Sequence, residues 1–166
     1  PNIEKIVYNV LSNSFKFAPV KGKISIQASL IDSEEDKLFL QILVSDNGVG
    51  ISKENLDRIF ENYFQADPHS NIRGSGIGLS LTKRLVNLHK GSIDVKSSLD
   101  HGSTFKVLID VSEKSYSNDE KSHEIVDKEY LKNYNFITIE NDVVEKVNIL
   151  LKSSNDSVKT LLIVDD

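Results

Sequence analysis

The chain has 166 residues, 39% of them hydrophobic and 27% charged, which suits one globular domain with an ordinary core and a trailing segment. A net charge of −5 and a pI near 5.4 argue against nucleic acid or an anionic membrane as the main partner, since both demand basic patches. With no cysteine, disulfide and thiol chemistry are excluded; the four histidines lack metal-ligand spacing, and no apolar run is long enough to span a membrane.

From Ile3 to Lys16, Ile3, Ile6, Val7, Val10 and Ser14 line one stripe of a predicted helix. Asn9, Asn13 and Lys16, at i, i+4 and i+7, form a second stripe beside it. Asparagine is a poor helix former, and a solvated face would favour Glu or Lys, so this stripe is read as facing a ligand. Pro19 and Gly22 end the helix. Ile24 to Leu30 and Leu38 to Val44 then alternate apolar and polar as two antiparallel strands around a charged turn, Asp32 to Lys37. The second strand ends at Asp46, which leads into a tight turn, Asn47-Gly48-Val49-Gly50. Ser52 is placed to cap a short helix running through Leu56 and Ile59 to Phe60. Residues 61 to 73 lack periodicity and hold Asp67-Pro68-His69-Ser70-Asn71, which reads as a mobile lid.

Arg73-Gly74-Ser75-Gly76-Ile77-Gly78-Leu79 follows. Glycines on alternate positions let a bulky anion approach the backbone, and the helix they open offers unpaired N–H groups and a positive dipole end. The run is neither a P-loop nor a dinucleotide fingerprint. In the helix itself, Ile77, Leu81, Leu85 and Leu88 fall on one stripe and Leu79 and Val86 opposite, so broad burial is expected, with Gly91 as the C′ stop. Ser92 to Ser98 and Ser103 to Val111 alternate as two further strands about Asp100-His101-Gly102. Four half-apolar strands and amphipathic helices imply an α/β fold, a two-layer sandwich whose mixed, mostly antiparallel sheet is covered on one face by helices.

After Val111 the composition changes. Residues 112–157 read as a linker with a short helix at Val143, Val144, Val147, Leu150 and Leu151, and residues 158–166 as the truncated start of another domain. Lacking methionine and beginning at Pro1, the sequence reads as a piece of something longer.

Four elements, in this order and spacing, resemble the ATP-binding catalytic domain of sensor histidine kinases, in the superfamily shared with gyrase, the mismatch-repair ATPase and a heat-shock chaperone. They are Asn9-Val10-Leu11-Ser12-Asn13-Ser14-Phe15-Lys16, Asp46-Asn47-Gly48-Val49-Gly50, Ile59-Phe60-Glu61 with Phe64-Gln65, and Gly74-Ser75-Gly76-Ile77-Gly78-Leu79. The resemblance covers residues 2 to 111 and implies a Bergerat-type ATP-binding fold over residues 1–111. Ser14 and Ala18 stand where alanine and threonine are more usual, and neither departure removes a needed donor, acceptor or ligand.

The resemblance implies ATP and Mg²⁺ as cofactors and γ-phosphoryl transfer to a histidine on a separate dimerisation domain, with the parent a homodimer. An ionised Asp46 is acceptor-only and suits the exocyclic amino group of adenine, which selects ATP over GTP. Gly48 and Gly50 would let the loop curl under the base. Asn13 offers a hard oxygen to Mg²⁺, with Asn9 beside the metal or its water shell. Lys16 and Arg73 would neutralise phosphate charge while N–H groups around Gly74, Ser75, Gly76, Ile77, Gly78 and Leu79 cradle it. Phe60 and Phe64 are read as anchoring the lid. Ser122-His123-Glu124-Ile125 echoes the acceptor motif but lacks the arginine and proline that usually follow, so it is set aside. His69, His89 and His101 are read as surface residues. Leu161-Leu162-Ile163-Val164-Asp165-Asp166 resembles the first strand and acidic pair of a receiver domain, which implies a hybrid kinase with a receiver domain or response regulator as partner; the family resemblance implies that this chain is the cytoplasmic portion of a sensor, whether membrane-bound or not. Two readings compete: a nucleotide-gated interaction module without chemistry, and an ATP-hydrolysing enzyme of the chaperone or topoisomerase kind.

Overall fold

The structure is a computed structural model and describes residues 2–33, 35–66, 74–120, 147–152 and 159–165. Helix α1 (Asn2–Phe17) is followed by β1 (Lys23–Asp32), β2 (Leu38–Asp46), α2 (Gly78–Leu88), β3 (Ser92–Ser97) and β4 (Ser103–Asp110), then by β5 (Val147–Lys152) and β6 (Lys159–Asp165). The strands form one sheet in the order β3-β4-β2-β1-β6-β5. Among the described residues every pairing is antiparallel, so the mixed, mostly antiparallel sheet expected from the sequence is there uniform. Short hairpin turns join β1 to β2 and β3 to β4, which forces that orientation on these two pairs.

Ile6, Val10 and Leu11 of α1 and Leu85 and Val86 of α2 bury against Ile24, Ile42, Val44, Ile93, Phe105, Val107 and Ile109 of the sheet. Each fully buried aliphatic side chain contributes about 1.5–3 kcal/mol relative to exposure. The α1 stripe thus packs as its spacing predicts. Leu79, Ile59 and Phe60 pack around the edge of this core.

Several expectations need correction. On α2 the buried residues are Ser80, Thr82, Leu85 and Val86, while Ile77, Leu81 and Leu88 are exposed, Leu88 by 70%. Burial is therefore partial: Leu85 and Val86 enter the core, and Leu81 and Leu88 stay outside it. The left-handed residue ending α2 is Lys90 (φ 52°), not Gly91. The N–H groups of Lys90 and Gly91 return to the carbonyls of Asn87 and Val86, a Schellman closure. Gly91 is needed for another reason: a Cβ there would strike the Leu108 carbonyl of β4. Residues 53–60 form successive turns rather than a helix, with bonds such as Arg58 N–H to Asn55 O and Glu61 N–H to Arg58 O. Ser52 does not cap them; its hydroxyl is buried without a partner among the described residues.

Of the predicted helix near Val143–Leu151, residues 147–152 are strand β5, paired with β6 from Val147 opposite Asp165 to Lys152 opposite Thr160. Residues 143–146 lie outside the described residues. The strand-like run from Thr160 is indeed a strand, and β6 lies against β1 with Ile24 opposite Ile163. The start of the stretch read as linker folds back onto the domain. Ser112 is buried, and its hydroxyl and Leu38 exchange hydrogen bonds. The Tyr116 hydroxyl donates to the Asp110 carbonyl at 2.6 Å, with the His89 carbonyl at 2.9 Å. Lys90 lies over the Tyr116 ring and donates to the Ser115 carbonyl. His89 is consequently no surface residue: its Nε2 is buried without a partner among the described residues. His101 is exposed, and His69 and His123 lie outside the described residues, as does residue 67–73 of the predicted lid.

Candidate nucleotide-binding site

The site gathers at one end of the sheet, where β2 stops. Asp46 is the last residue of β2, and three donors from three different elements converge on its carboxylate. Oδ1 accepts from the N–H of Gly48 (2.9 Å) and of Ser103 (3.3 Å), and Oδ2 accepts from the Ser14 hydroxyl (3.2 Å). Only α1 could bring Ser14 here, and only the hairpin into β4 could bring Ser103, so the fold assembles what the chain separates by 32 and 57 positions.

The loop after Asp46 is fixed on both sides. Val49 N–H bonds the Phe17 carbonyl at the end of α1, and Val49 O accepts from Asp100 N–H in the β3–β4 turn. Ile51 N–H donates to Ser97 Oγ at 2.8 Å, and that hydroxyl donates on to Gly102 O at 2.7 Å. Gly50 has φ +69° and a Cβ there would fall on the Ser98 carbonyl; at Gly48 it would meet the Phe17 carbonyl. Both glycines are thus demanded by close approach of protein backbone.

Asn9, Asn13 and Lys16 share the predicted face of α1. Asn9 Nδ2 donates to Gly78 O and to Thr82 Oγ1, both at 3.2 Å, which ties α1 to the first turn of α2. Asn13 is half-buried and its amide makes no hydrogen bond among the described residues. Lys16 Nζ reaches Gly74, where an added Cβ would lie 2.5 Å from it, and it sits 5.1 Å from the centroid of the Phe17 ring. Burial pushes the Lys16 ammonium below its ordinary pKa. Beyond it, Gln65 Nε2 donates to Gly74 O, and Tyr63 N–H to Gly76 O. Gly76 has φ +69° and is packed against the Tyr63 backbone. The Phe60 ring lies at the core edge under Lys83, and Phe64 stacks with Arg58.

α2 opens without a side-chain cap at Ile77 and without an acidic residue in its first turn. Its leading N–H groups therefore keep their capacity to bind an anion, next to the Lys16 ammonium. Ser75 and Ile77 are exposed on this approach, Leu79 turns to the core, and Arg73 lies outside the described residues. No cluster of three or more His, Asp or Glu side chains that could hold a metal alone exists among the described residues. A cation here would depend on the Asn13 amide oxygen and on the phosphates it accompanied, a pattern that suits Mg²⁺.

The model of the histidine kinase-, DNA gyrase B- and HSP90-like ATPases matches residues 1–113. The chain belongs to this family. Among its curated relatives, the autoinducer 2 sensor kinase/phosphatase LuxQ of Vibrio vulnificus is 40% identical over 112 residues, 66% of this chain and 13% of that kinase. The histidine protein kinase DivJ of Caulobacter vibrioides is 38% identical over 110 residues, 66% of this chain and 18% of DivJ. Hybrid signal transduction histidine kinase B of Dictyostelium discoideum is 37% identical over 109 residues, 64% of this chain and 6% of that kinase. The chain thus spans a small part of the length of these relatives. Among solved structures, the mycobacterial sensor histidine kinase MprB superposes with a TM-score of 0.56 at 26% identity, over 66% of this chain and 70% of that one. The four-strand, two-helix part of this ATPase-family domain is therefore the shared unit, and β5 and β6 lie beyond the matched residues.

Ser14 and the Ser103 N–H escaped the sequence reading as site groups. Ser14 could have been suspected as the polar member of an otherwise apolar stripe; a backbone N–H carries no sequence signal at all. Among the described residues, no helix is long and apolar enough to cross a membrane.

Proposed function

We propose that this domain binds Mg²⁺-ATP and donates the γ-phosphoryl group to a histidine on a separate phospho-acceptor domain in two-component signalling. The observation that carries the reading is the Asp46 carboxylate, held as an acceptor by three donors at the strand mouth, with Lys16 on the same helix as its donor Ser14 and reaching the glycine loop before the uncapped start of α2. In this reading Asp46 accepts from the adenine amino group. The N–H groups of residues 76–79 and the Lys16 ammonium bind the phosphates, joined by Arg73. Asn13 holds Mg²⁺, which supplies neutralisation of phosphate charge when bound.

Asn9 decides between transfer and hydrolysis. Its amide donates to Gly78 and Thr82, and a neutral amide cannot take a proton from water near pH 7, so no general base stands on this helix face. Transfer to an imidazole, nucleophilic when neutral, needs positioning rather than a base. The terminal Leu161-Leu162-Ile163-Val164-Asp165-Asp166 supports a following receiver domain and hence a hybrid parent. In this structure the same run pairs with β1, so it would have to leave that edge to open a receiver's sheet.

The experiment is incubation of the chain with γ-labelled ATP, followed by addition of the parent's histidine domain. The expected outcome is negligible phosphate release beforehand, no label on the chain at His123 or elsewhere, and label on the added domain. Rapid release before the addition, or an unlabelled acceptor after it, overturns the assignment. Asn9→Glu should raise background hydrolysis.

A further inference from the structure

Three hydroxyls are buried on the two helices, and they behave differently. Ser80 Oγ donates to Ile77 O three residues back, and Thr82 Oγ1 to Gly78 O four residues back, the usual local bonding of a helical hydroxyl. Ser14, at 1% exposure, does not turn back onto its helix. Its hydroxyl crosses to β2 and donates to Asp46 Oδ2.

A carboxylate offers about four lone-pair directions, two on each oxygen. Oδ1 is taken by the Gly48 and Ser103 N–H groups, and Ser14 takes one direction on Oδ2. Among the described residues, one direction remains. Without Ser14, two directions on Oδ2 are open, the carboxylate is anchored through one oxygen only, and it can turn or take up water in place of a ligand donor. We infer that Ser14 is a specificity-determining, positioning residue: acting through Asp46, it leaves a single acceptor direction and so sharpens selection of a base bearing an amino group. The inference rests on the reading of Asp46 as the base acceptor.

The test is calorimetric titration of the 166-residue chain, its Ser14→Ala variant and its Ser14→Thr variant with Mg²⁺-ADP and with Mg²⁺-IDP, whose base carries an oxo group where adenine has its amino group. Wild type should prefer ADP. Ser14→Ala, which removes one oxygen, should weaken ADP about three- to tenfold and leave IDP within about twofold, the size of one hydrogen bond's influence. Ser14→Thr keeps the hydroxyl and should restore the ratio. A merely structural role would move both nucleotides together, so an unchanged ADP/IDP ratio in Ser14→Ala overturns the inference while Asp46's role stands. A wild type that fails to distinguish the two nucleotides overturns the Asp46 reading itself, and Ser14's role with it. Because the ratio is taken within one variant, partial loss of folded protein does not disturb it.

Discussion

The two ends of the proposed cleft are built differently. At the Asp46 end the glycines are wedged against main-chain carbonyls: Gly50 against Ser98, Gly48 against Phe17, and Gly102 (φ +77°) against Asp46 itself. At the other end Gly76 (φ +69°) is likewise packed against the Tyr63 backbone, but the neighbour of Gly74 is only the tip of a lysine side chain, and the stitching is one side-chain bond from Gln65 and one backbone bond from Tyr63. Backbone cannot yield without moving a strand, whereas a lysine tip can swing aside. The base end is therefore preformed by the fold, while at the phosphate end Gly76 is fixed and the approach at Gly74 is adjustable, which suits recognition of a rigid ring joined to a flexible, charged chain.

The largest way to break this contrast is a pair of matched substitutions. Gly50→Ala should cost more than about 2 kcal/mol of stability, since it combines a positive φ with a clash against backbone. Gly74→Ala should cost less than about 0.5 kcal/mol because only Lys16 must move. Urea denaturation of both variants checks the contrast; equal losses would show that the two loops are equally constrained.

Next comes Asp46→Asn. Replacing an acceptor-only group by an amide that presents its own donors should lower ADP affinity about a hundredfold and abolish preference for ADP over IDP. Unchanged ADP affinity in calorimetry would remove the base end from the site.

The smallest effect concerns Lys16. Burial lowers its pKa in the free domain, and an adjacent phosphate would raise it again on binding. Because the bound state then holds the proton more tightly, ADP affinity should be level near neutral pH. It should fall as pH rises through Lys16's lowered pKa, with proton uptake on binding in that window. Lys16→Met should weaken ADP about tenfold and flatten the alkaline fall; a fall that persists in the variant would assign it to another group.

Much of this was legible in sequence because it depended on short-range pattern. The period of α1, the alternation of β1 to β4 and the acidic strand end at Asp46 all repeat within a few residues of themselves. The misreadings arose where partners lie far away. On α2 two apolar stripes were available, and it is α1, through Asn9 meeting Gly78 and Thr82, that selects the side bearing Thr82 and Val86, leaving Leu81 and Leu88 outside. Val147, Leu150 and Leu151 have helical spacing, but β6 supplies a pairing partner that spacing cannot reveal. At Lys90, packing against Leu108 reserves the glycine for the next position and leaves lysine to adopt the left-handed turn.

The fold-back after β4 also bears on where this domain physically ends. The family match stops at 113, yet Asp110 takes bonds from Ser112 N–H and Ser115 Oγ, and the carbonyls of Asp110 and His89 face the Tyr116 hydroxyl. Although burial alone would raise Asp110's pKa, the hydrogen bonds from Ser115 and Ser112 more than offset it and hold the carboxyl below its ordinary value. A chain trimmed after Val111 would strip those partners from a buried carboxylate and uncover the end of α2, at about 1 kcal/mol for each lost bond. The packed unit of this protein therefore extends past its last family-matched residue, to Tyr116 at least.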